Sequence, residues 1–322
     1  MQEAKELAQQ LTELLKLGGF HLTKWISNSR DVLESIPLAE RANKESINLD
    51  NNQEQRALGI RWEVDKDSFC FKFEKQNVPM TKRGILKVIS SVFDPLGFVT
   101  PFVLKAKIIL QERWRRKYKW DDTVAEDIQN VWNSWMTNAE ELFDVKIDRC
   151  YEGIDRHEVD KVELHLFCDA SILAFGSVAY LRFCYKDGTF RSSFVMAKSN
   201  LAPIKTMTLP RLELSSAVSA VRLYRSIIRD IELKIEQVYF WTDSTLNLQY
   251  ISNDKFRFKT FVANRIAEIH NSTDRNQWRH IPGDMNPADL VTRAVVSPKH
   301  LLKENKQGMT WFQGPKFLGN DI

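Results

Sequence analysis

Four acidic residues are spaced so that a folded chain could bring them together: Asp169, Glu213, Asp243 and Asp289. Asp169 closes the apolar run LHLFC, and Asp243 closes VYFW, so each sits at the carboxyl end of an expected strand. In an α/β sheet such ends converge on one edge, which is where ligands bind. Glu213 opens a helical pattern in which Ala217, Ala220, Val221 and Tyr224 follow at i+4, i+7, i+8 and i+11. That stripe should face the sheet, which puts the carboxylate at the top of a buried face. Asp289 lies in the first turn of a helix opened by Asn286 as N-cap and Pro287. Each acid alone has a plainer role, capping a turn or meeting a helix N-terminus for about 0.3–1 kcal/mol. Together they describe something else. Clustered carboxylates repel one another unless a cation neutralises them. A donor set made only of oxygen suits magnesium or manganese, and two such ions can serve an attacking water and a leaving oxygen across a phosphate.

The elements that must position these acids begin near residue 160. KVELHLFCDAS, AFGSVAYLRF and TFRSSFVMAK alternate as three consecutive strands, with Lys186-Asp187-Gly188 as a hairpin turn. A helix is expected from about 209 to 231, then the strand QVYFWTD and a helix from Ser244. A second helix at FKTFVANRIAEIHNS, a strand at NQWRHIPG and a last short helix follow. The order βββαβααβα predicts a mixed five-stranded sheet, three strands antiparallel and two entered through crossover helices, with helices on its faces.

The motifs carry a resemblance. HLFCDAS, AKSNLAPIKTMTLPRLEL, YFWTDSTLNLQYI, FVANRIAEI and HIPGDMNPADLVTR resemble, in order, the ribonuclease H segment of BEL/Pao-type retrotransposon polyproteins. The resemblance implies a ribonuclease H-like α/β fold over 161–296 and a D-E-D-D metal site falling on Asp169, Glu213, Asp243 and Asp289. Two Mg²⁺ or Mn²⁺ ions would be held there, Asp169 bridging both, Glu213 and Asp243 on one and Asp289 on the other. The implied activity is endonucleolytic hydrolysis of the RNA strand of RNA–DNA hybrids. The alternative is a catalytically silent retroelement fragment that binds nucleic acid or a protein partner. The name Pao retrotransposon peptidase is also attached to such sequences. An aspartic protease needs an Asp-Thr-Gly or Asp-Ser-Gly loop, and the nearest string here, Asp243-Ser244-Thr245, lacks the glycine.

The same resemblance extends upstream and downstream. GGFHLTKWISN looks like the primer-grip end of a reverse-transcriptase palm, with Lys24, Trp25 and Asn28 as primer contacts. LGIRW and TKRGILKVISSVFDPLGFVTPF resemble the thumb and connection, and MTWFQGPKFL the segment leading toward an integrase. The implied organisation is a palm remnant over 1–58, a smaller, mainly helical thumb/connection-like region over 59–160, the ribonuclease H-like domain over 161–296 and a tail over 297–322. The palm and integrase parts of such a polyprotein are implied partners, beside the hybrid itself. No YxDD-type motif occurs, so DNA synthesis by this chain alone is excluded.

In the upstream region, the first helix sets Leu7, Leu11, Leu14 and Leu15 on one face and stops at Gly18-Gly19. GGFHLTKWISN alternates as a short hairpin would, residues 40–56 form a polar loop, and Asp65-Lys66-Asp67 turns between two strands. Asp94-Pro95-Leu96-Gly97 breaks a helical stretch in two, and a third helix near 124–143 carries Trp132 and Trp135. The charged stretch 146–160 is the expected domain boundary.

Two basic segments are candidates for nucleic-acid contact. Lys198, Lys205 and Arg211 flank Glu213, either as phosphate contacts or as solvated loop charges. QERWRRKYKW offers Arg113, Arg116 and Lys117 among aromatic residues. It reads equally as an amphipathic helix with Trp114 and Tyr118 packed inward. His280 reads as a strand residue outside the catalytic set, although it could aid proton transfer. The net charge of +4 neither requires nor excludes a nucleic-acid partner. No apolar run is long enough to span a membrane, and the amphipathic N-terminus is unlike a signal peptide. Cys70, Cys150, Cys168 and Cys184 lack metal-site spacing and read as reduced, buried thiols of an intracellular protein, cytoplasmic or nuclear.

Overall fold

The computed structural model describes residues 2–42, 54–57, 60–75, 77–151, 158–253 and 257–320. Two compact units emerge. One comprises residues 1–71 and 146–152, the other 72–145 and 153–322.

In the first unit, helix α1 (Gln2–Leu17) ends at Gly18-Gly19, where Gly19 takes φ +77. Its stripe is uncovered: Leu7, Leu11 and Leu14 are exposed. The hairpin expected at GGFHLTKWISN does not form. Lys24 adopts φ 61, which breaks the extended path, and Trp25 instead makes a lone parallel bridge to Arg41. A short helix α2 (Arg30–Glu34) is N-capped by Ser29. Strands β1 (Glu54–Ala57), β2 (Ile60–Glu63), β3 (Ser68–Cys70) and β4 (Lys146–Asp148) make an antiparallel sheet in that order. The expected turn at 65–67 joins β2 to β3. Asp67, at φ 50, accepts hydrogen bonds from Arg149 (2.6 and 2.9 Å) and from the Trp62 indole (2.9 Å). Most of the polar 40–56 loop, and residues 152–157 of the expected boundary, lie outside the described residues.

The second unit is built on a mixed five-stranded sheet of β5 (Val159–Ala170), β6 (Ala174–Tyr185), β7 (Phe190–Leu201), β8 (Gln237–Thr242) and β9 (Trp278–His280). Its spatial order is β7-β6-β5-β8-β9, antiparallel for the first three and parallel from β5 to β8 to β9. This is the mixed five-stranded sheet that the βββαβααβα pattern predicts. Successive residues of β5 point to opposite faces. One face carries Leu164, Leu166 and Cys168, all fully buried, and receives the long helix α6 (Leu209–Asp230). Small residues let α6 come close: Ser219 hydrogen-bonds Ser177 on β6 at 3.1 Å. The helices α7 (Thr245–Ser252) and α8 (Thr260–His270) join this layer.

The other face carries Glu163, His165, Phe167 and Asp169, and the C-terminal segment lies over part of it. The Trp311 carbonyl accepts from Tyr180 Oη (2.8 Å), the Leu318 carbonyl accepts from Arg182 (2.9 Å), and Phe317 packs on Phe167 and Trp241. Residues 309–318 are therefore part of this unit's core, with Met309, Trp311 and Leu318 buried.

The helices upstream belong to the same unit. They are α3 (Lys82–Ser91), α4 (Thr100–Arg115) and α5 (Glu126–Ala139). Asp94-Pro95-Leu96-Gly97 breaks α3 from α4 as expected, and it also grips the sheet. The Asp94 carboxylate accepts from the Phe98 and Val99 amides (2.8 and 2.9 Å), and the Leu96 carbonyl accepts from Ala197 on β7 (2.9 Å). Gly97 is required there, since it sits at φ +80 and a Cβ would meet the Ala197 carbonyl at 2.1 Å. Trp132 and Trp135 are buried and stacked, and Trp135 stacks in turn on Phe102 of α4. Helix α9 (Leu290–Arg293), introduced by the turn 287–289, packs on β6 and α4.

Candidate active site

The carboxyl ends of β5 and β8 lie side by side because Cys168 pairs with Thr242 in parallel register. Asp169 and Asp243 are the next residues on each strand, so strand pairing alone sets them at one edge. α9 approaches the same edge. Asn286, almost fully buried, donates to the Cys168 carbonyl (3.0 Å) and accepts from the Ala288 amide (3.1 Å), the N-cap role read from the sequence. Thr292, fully buried, donates to Asp169 Oδ2 at 2.5 Å. Ser171 donates to the Thr292 carbonyl (2.9 Å), closing the link between α9 and the end of β5. On the α6 side, Glu213 accepts from the hydroxyl of Ser244 (2.7 Å), the residue after Asp243.

The predicted acids are thus brought toward one edge, and Asp169 and Asp289 both feel the charge of Asp243. Asp169 is buried, and its carboxyl is pushed up to about 6. Burial is the largest cause, opposed by the Thr292 hydrogen bond and reinforced by the charges of Asp243 and then Asp289. Asp243 is raised by burial, against its own backbone amide and the charges of His280 and Arg293. Asp289 is also raised by burial. Arg293 opposes the rise and Asp243 adds to it. Arg293, one turn on, pairs with Asp289 at 2.6 Å.

A chain that fits a hard divalent cation must offer oxygen donors whose charge is not already cancelled. Asp169 and Asp243 meet that test, since no ion pair to either occurs among the described contacts. The side chains are not, however, drawn around a common point. Among the described residues, no three His, Cys, Asp or Glu side chains form a group that could hold a metal ion. Glu213, Asp289 and Asp169 each turn an oxygen to a protein partner of their own. The donor chemistry fits, and the partners Ser244, Arg293 and Thr292 mark which bonds a cation would share or displace.

The sequence-stated basic contacts divide. Lys198, Lys205 and Arg211 are exposed, and Arg211 lies over the Phe261 ring of α8, 5.0 Å from its centroid. Arg116 is ion-paired with Glu112 and Asp127. Lys117 is exposed, at φ 59. Arg113 has no exposed surface and donates to the Asp122 carbonyl (3.1 Å), so it is removed from any surface contact. α4 therefore turns Arg113 inward and Trp114 outward, the reverse of the packing that an amphipathic reading gives. Of the four cysteines, all free, Cys150 is exposed rather than buried. Among the described residues, no helix is long and apolar enough to cross a membrane.

The sequence profile described as the Pao retrotransposon-like RNaseH-like domain matches residues 81–244, just over half of the chain. The chain belongs to this family. The match takes in α3–α5 as well as the sheet through Asp243, in keeping with their packing into one unit. No curated protein matches the sequence. Solved structures that are similar include ribonuclease H1 of the archaeon Halobacterium salinarum, at 10% identity over 38% of this chain and 87% of that one (TM-score 0.26). Another is the compost-derived LC11 ribonuclease H1 in complex with an RNA/DNA hybrid, at 13% identity over 39% and 88% (TM-score 0.27). A third is the foamy viral protease-reverse transcriptase dRH in complex with double-stranded DNA, at 13% identity over 71% and 37% (TM-score 0.38). This chain spans little more than a third of that viral protein. Family membership and the observed sheet support a nuclease-type function.

Sequence reasoning passed over Thr292, Ser244 and Arg293, which hold three of the acids. A signal existed for each. Ser244 stands at i+1 of Asp243, Arg293 at i+4 of Asp289, and Thr292 is a hydroxyl that follows the apolar pair Leu290-Val291.

Proposed function

We propose that the acid edge hydrolyses the RNA strand of RNA–DNA hybrids, as the ribonuclease H part of a retroelement reverse transcriptase. The supporting observation is the shared electrostatics of Asp169, Asp243 and Asp289, all raised by burial from their ordinary value at one sheet edge. Uncompensated acids at a ligand-binding edge cost stability, and that cost has a use if a cation completes them. Asp169, Glu213, Asp243 and Asp289 would hold Mg²⁺ or Mn²⁺, with Asp169 shared between two ions as the family resemblance implies. Such ions, when bound, supply the means to activate an attacking water and to stabilise the leaving oxygen.

The chain's own residues orient and select. Asn286 pins the end of β5 and Thr292 fixes the Asp169 carboxylate, while Ser244 aims Glu213. Lys198, Lys205 and Arg211 offer exposed charge to phosphates beside the cut. The hybrid would be distinguished by groove shape and 2′-hydroxyls rather than by base sequence. His280, exposed and with its charge bearing on Asp243, stands where a proton could be exchanged with solvent.

A second reading is a module that binds nucleic acid or a protein without cutting. It is favoured by the Arg293–Asp289 pair and by the absence of three gathered ligands among the described residues. Cleavage of a labelled hybrid in Mg²⁺ or Mn²⁺ separates the two. Under the nuclease reading, Asp169→Asn lowers the rate by at least about 10²–10³-fold, the range for losing one electrostatic contact to a transition state. Binding by both proteins with cutting by neither would establish the module.

A further inference from the structure

The C-terminal end of α4 carries a basic and aromatic corner that the acid edge does not use. Its tryptophans differ from the others nearby. Trp132 and Trp135 are core residues, whereas Trp114 is 46% and Trp120 44% exposed. These two meet edge to face, with ring centroids 5.3 Å apart. Lys82 sets its ammonium over the Trp114 ring, 3.9 Å from the centroid, and the Arg83 guanidinium lies 5.9 Å from that of Trp120. Large rings held half in solvent by cations, instead of being folded into the core behind them, make a surface that can take another flat group.

The charge around the rings is positive and only partly cancelled. Arg83 pairs with Asp121, Arg115 with Glu112, and Arg116 with Glu112 and Asp127. Lys82, Lys117 and Lys119 have no carboxylate partner among the described contacts. Beneath them the buried Arg113 leaves Nε and Nη1 without a hydrogen-bond partner. Its charge adds to the local potential without being available for contact.

The place of this corner follows from the topology. β5 and β7 both run antiparallel to β6, so the end of β7 at Leu201 lies at the same edge as Asp169. Gln111 of α4 donates to the carbonyl of Ala202, just past that end, at 2.6 Å. Trp114 is one helical turn further on, about 4.5 Å along the axis. Two strand spacings, about 10 Å, separate β7 from β5. The corner therefore lies just beyond the end of β7, at the same end of the sheet as Asp169. The loop carrying Lys205 begins at Ala202, the residue that Gln111 holds.

We propose that this corner binds the unpaired strand continuing from a duplex held at the acid edge. A base stacks on the Trp114–Trp120 pair, and phosphates meet the exposed Lys117 and Lys119, while the buried Lys82 holds the Trp114 ring from behind. The proposal rests on the nuclease reading for the nature of the duplex, but not for the contact itself. Stacking and phosphate contact read neither base identity nor sugar, so the strand can be DNA or RNA.

The test is fluorescence anisotropy with the full chain in EDTA, so that nothing is cut. The probes are a blunt hybrid and the same hybrid with an unpaired extension of about ten nucleotides, within the usual site size. The extension should tighten binding. Trp114→Ala and Trp120→Ala should each remove at least about fivefold of that gain while leaving the blunt hybrid unaffected. Lys117→Gly is safe for the fold, because φ 59 suits glycine. It should lower the salt dependence for the extended probe by about 0.7 in log K per log salt. Equal affinity of wild type and both tryptophan variants for the extended hybrid overturns the proposal. Cleavage is scored separately. Cutting without a tryptophan effect keeps the nuclease and rejects the corner, and tryptophan-dependent binding without cutting does the reverse.

Discussion

Strand β5 carries a buried carboxylate near each end, Glu163 and Asp169, on the same face of the sheet, and the chain treats them in opposite ways. Glu163 is surrounded by donors: Arg182 Nη1 at 2.7 Å, Lys161 at 2.8 Å and His165 Nε2 at 3.2 Å. His165 accepts at Nδ1 from the Trp241 indole (3.1 Å), so its proton is on Nε2, facing Glu163. Burial lowers the His165 pKa and keeps that ring neutral, which leaves Arg182 and Lys161 as the charged partners. Burial alone would raise Glu163. The bonds from His165, Lys161 and Arg182 outweigh it and hold the group well below the usual carboxylate range. Asp169 receives one hydroxyl and two repelling neighbours, and is pushed up to about 6. One end of the strand is electrostatically finished; the other is not. That difference separates an acid that serves the fold from one proposed to hold a cation.

The largest effect expected from breaking this contrast is at the finished end. Glu163→Ala strips Arg182 of its carboxylate inside the core. Removing one partner of a buried pair costs about 3–5 kcal/mol. Denaturant unfolding of the variant should show that loss, whereas cleavage per folded molecule should stay near wild type. A loss below about 1 kcal/mol would mean that the carbonyls of Leu318 and Asn320, which also accept from Arg182, already suffice.

Asp169→Asn should act with the opposite sign on stability. A carboxyl raised to about 6 from 3.8 carries roughly 3 kcal/mol of destabilisation once ionised in the fold. The neutral amide should recover up to that amount at pH 8 while lowering cleavage at least about 10²–10³-fold. In pH terms the two ends work against each other. A raised acid loses stability as pH climbs from about 4 through 6, because the folded state must give up a proton it holds more tightly than the unfolded chain. A depressed acid such as Glu163 keeps its contribution above the unfolded value near 4.5 and loses it as pH falls toward its folded value. Without divalent ions, thermal unfolding should therefore be most resistant at about pH 4 to 4.5, where the contribution of Glu163 is nearly complete and the loss at Asp169 has only begun. Mg²⁺ or Mn²⁺ should raise the melting temperature chiefly above that window, where binding to the folded state adds stability by mass action. Asp169→Asn should flatten both the upper limb and the ion effect. An unchanged profile in the variant would show that Asp169 is not the group responsible.

Much of this arrangement was legible in the sequence because it rests on local pattern. The βββαβααβα order, the Asn286 cap, the break at Asp94–Gly97 and the convergence of Asp169 with Asp243 follow from periodicity and from strand ends. What escaped depends on pairs far apart in the chain. Arg182 and Glu163 form an ion pair only because β5 and β6 register them opposite each other. The tail, read from its resemblance as a segment leading toward an integrase, packs Trp311 and Leu318 over the sheet. In α4, propensity could not say which of Arg113 and Trp114 faces inward. The Asp122 carbonyl and the Tyr118 ring, 5.5 Å from the guanidinium, decide it. At GGFHLTKWISN the alternation was present, but the positive φ at Lys24 and the pairing of Trp25 with Arg41 came from outside the motif.

The smallest expected effect gives the finest resolution of the unfinished end. Thr292 donates its hydroxyl to Asp169 Oδ2, the one side-chain bond that favours the ionised form there. Thr292→Val keeps the branched shape inside a fully buried position and removes only that donor. The Asp169 pKa should rise further, because a bond to the charged form has been lost while burial and the Asp243 charge remain. The stability cost should be about 1.5 kcal/mol at pH 8, where the carboxylate is ionised, and smaller at pH 5, where it is largely protonated. In a cleavage assay the acidic limb of the pH–rate profile should move upward with little change on the alkaline side. An equal cost at both pH values would instead mark Thr292 as a packing residue. The hydroxyl would then contribute through its alternative acceptor, the Asp289 carbonyl at 3.0 Å, which holds the turn of α9 rather than the charge of the site.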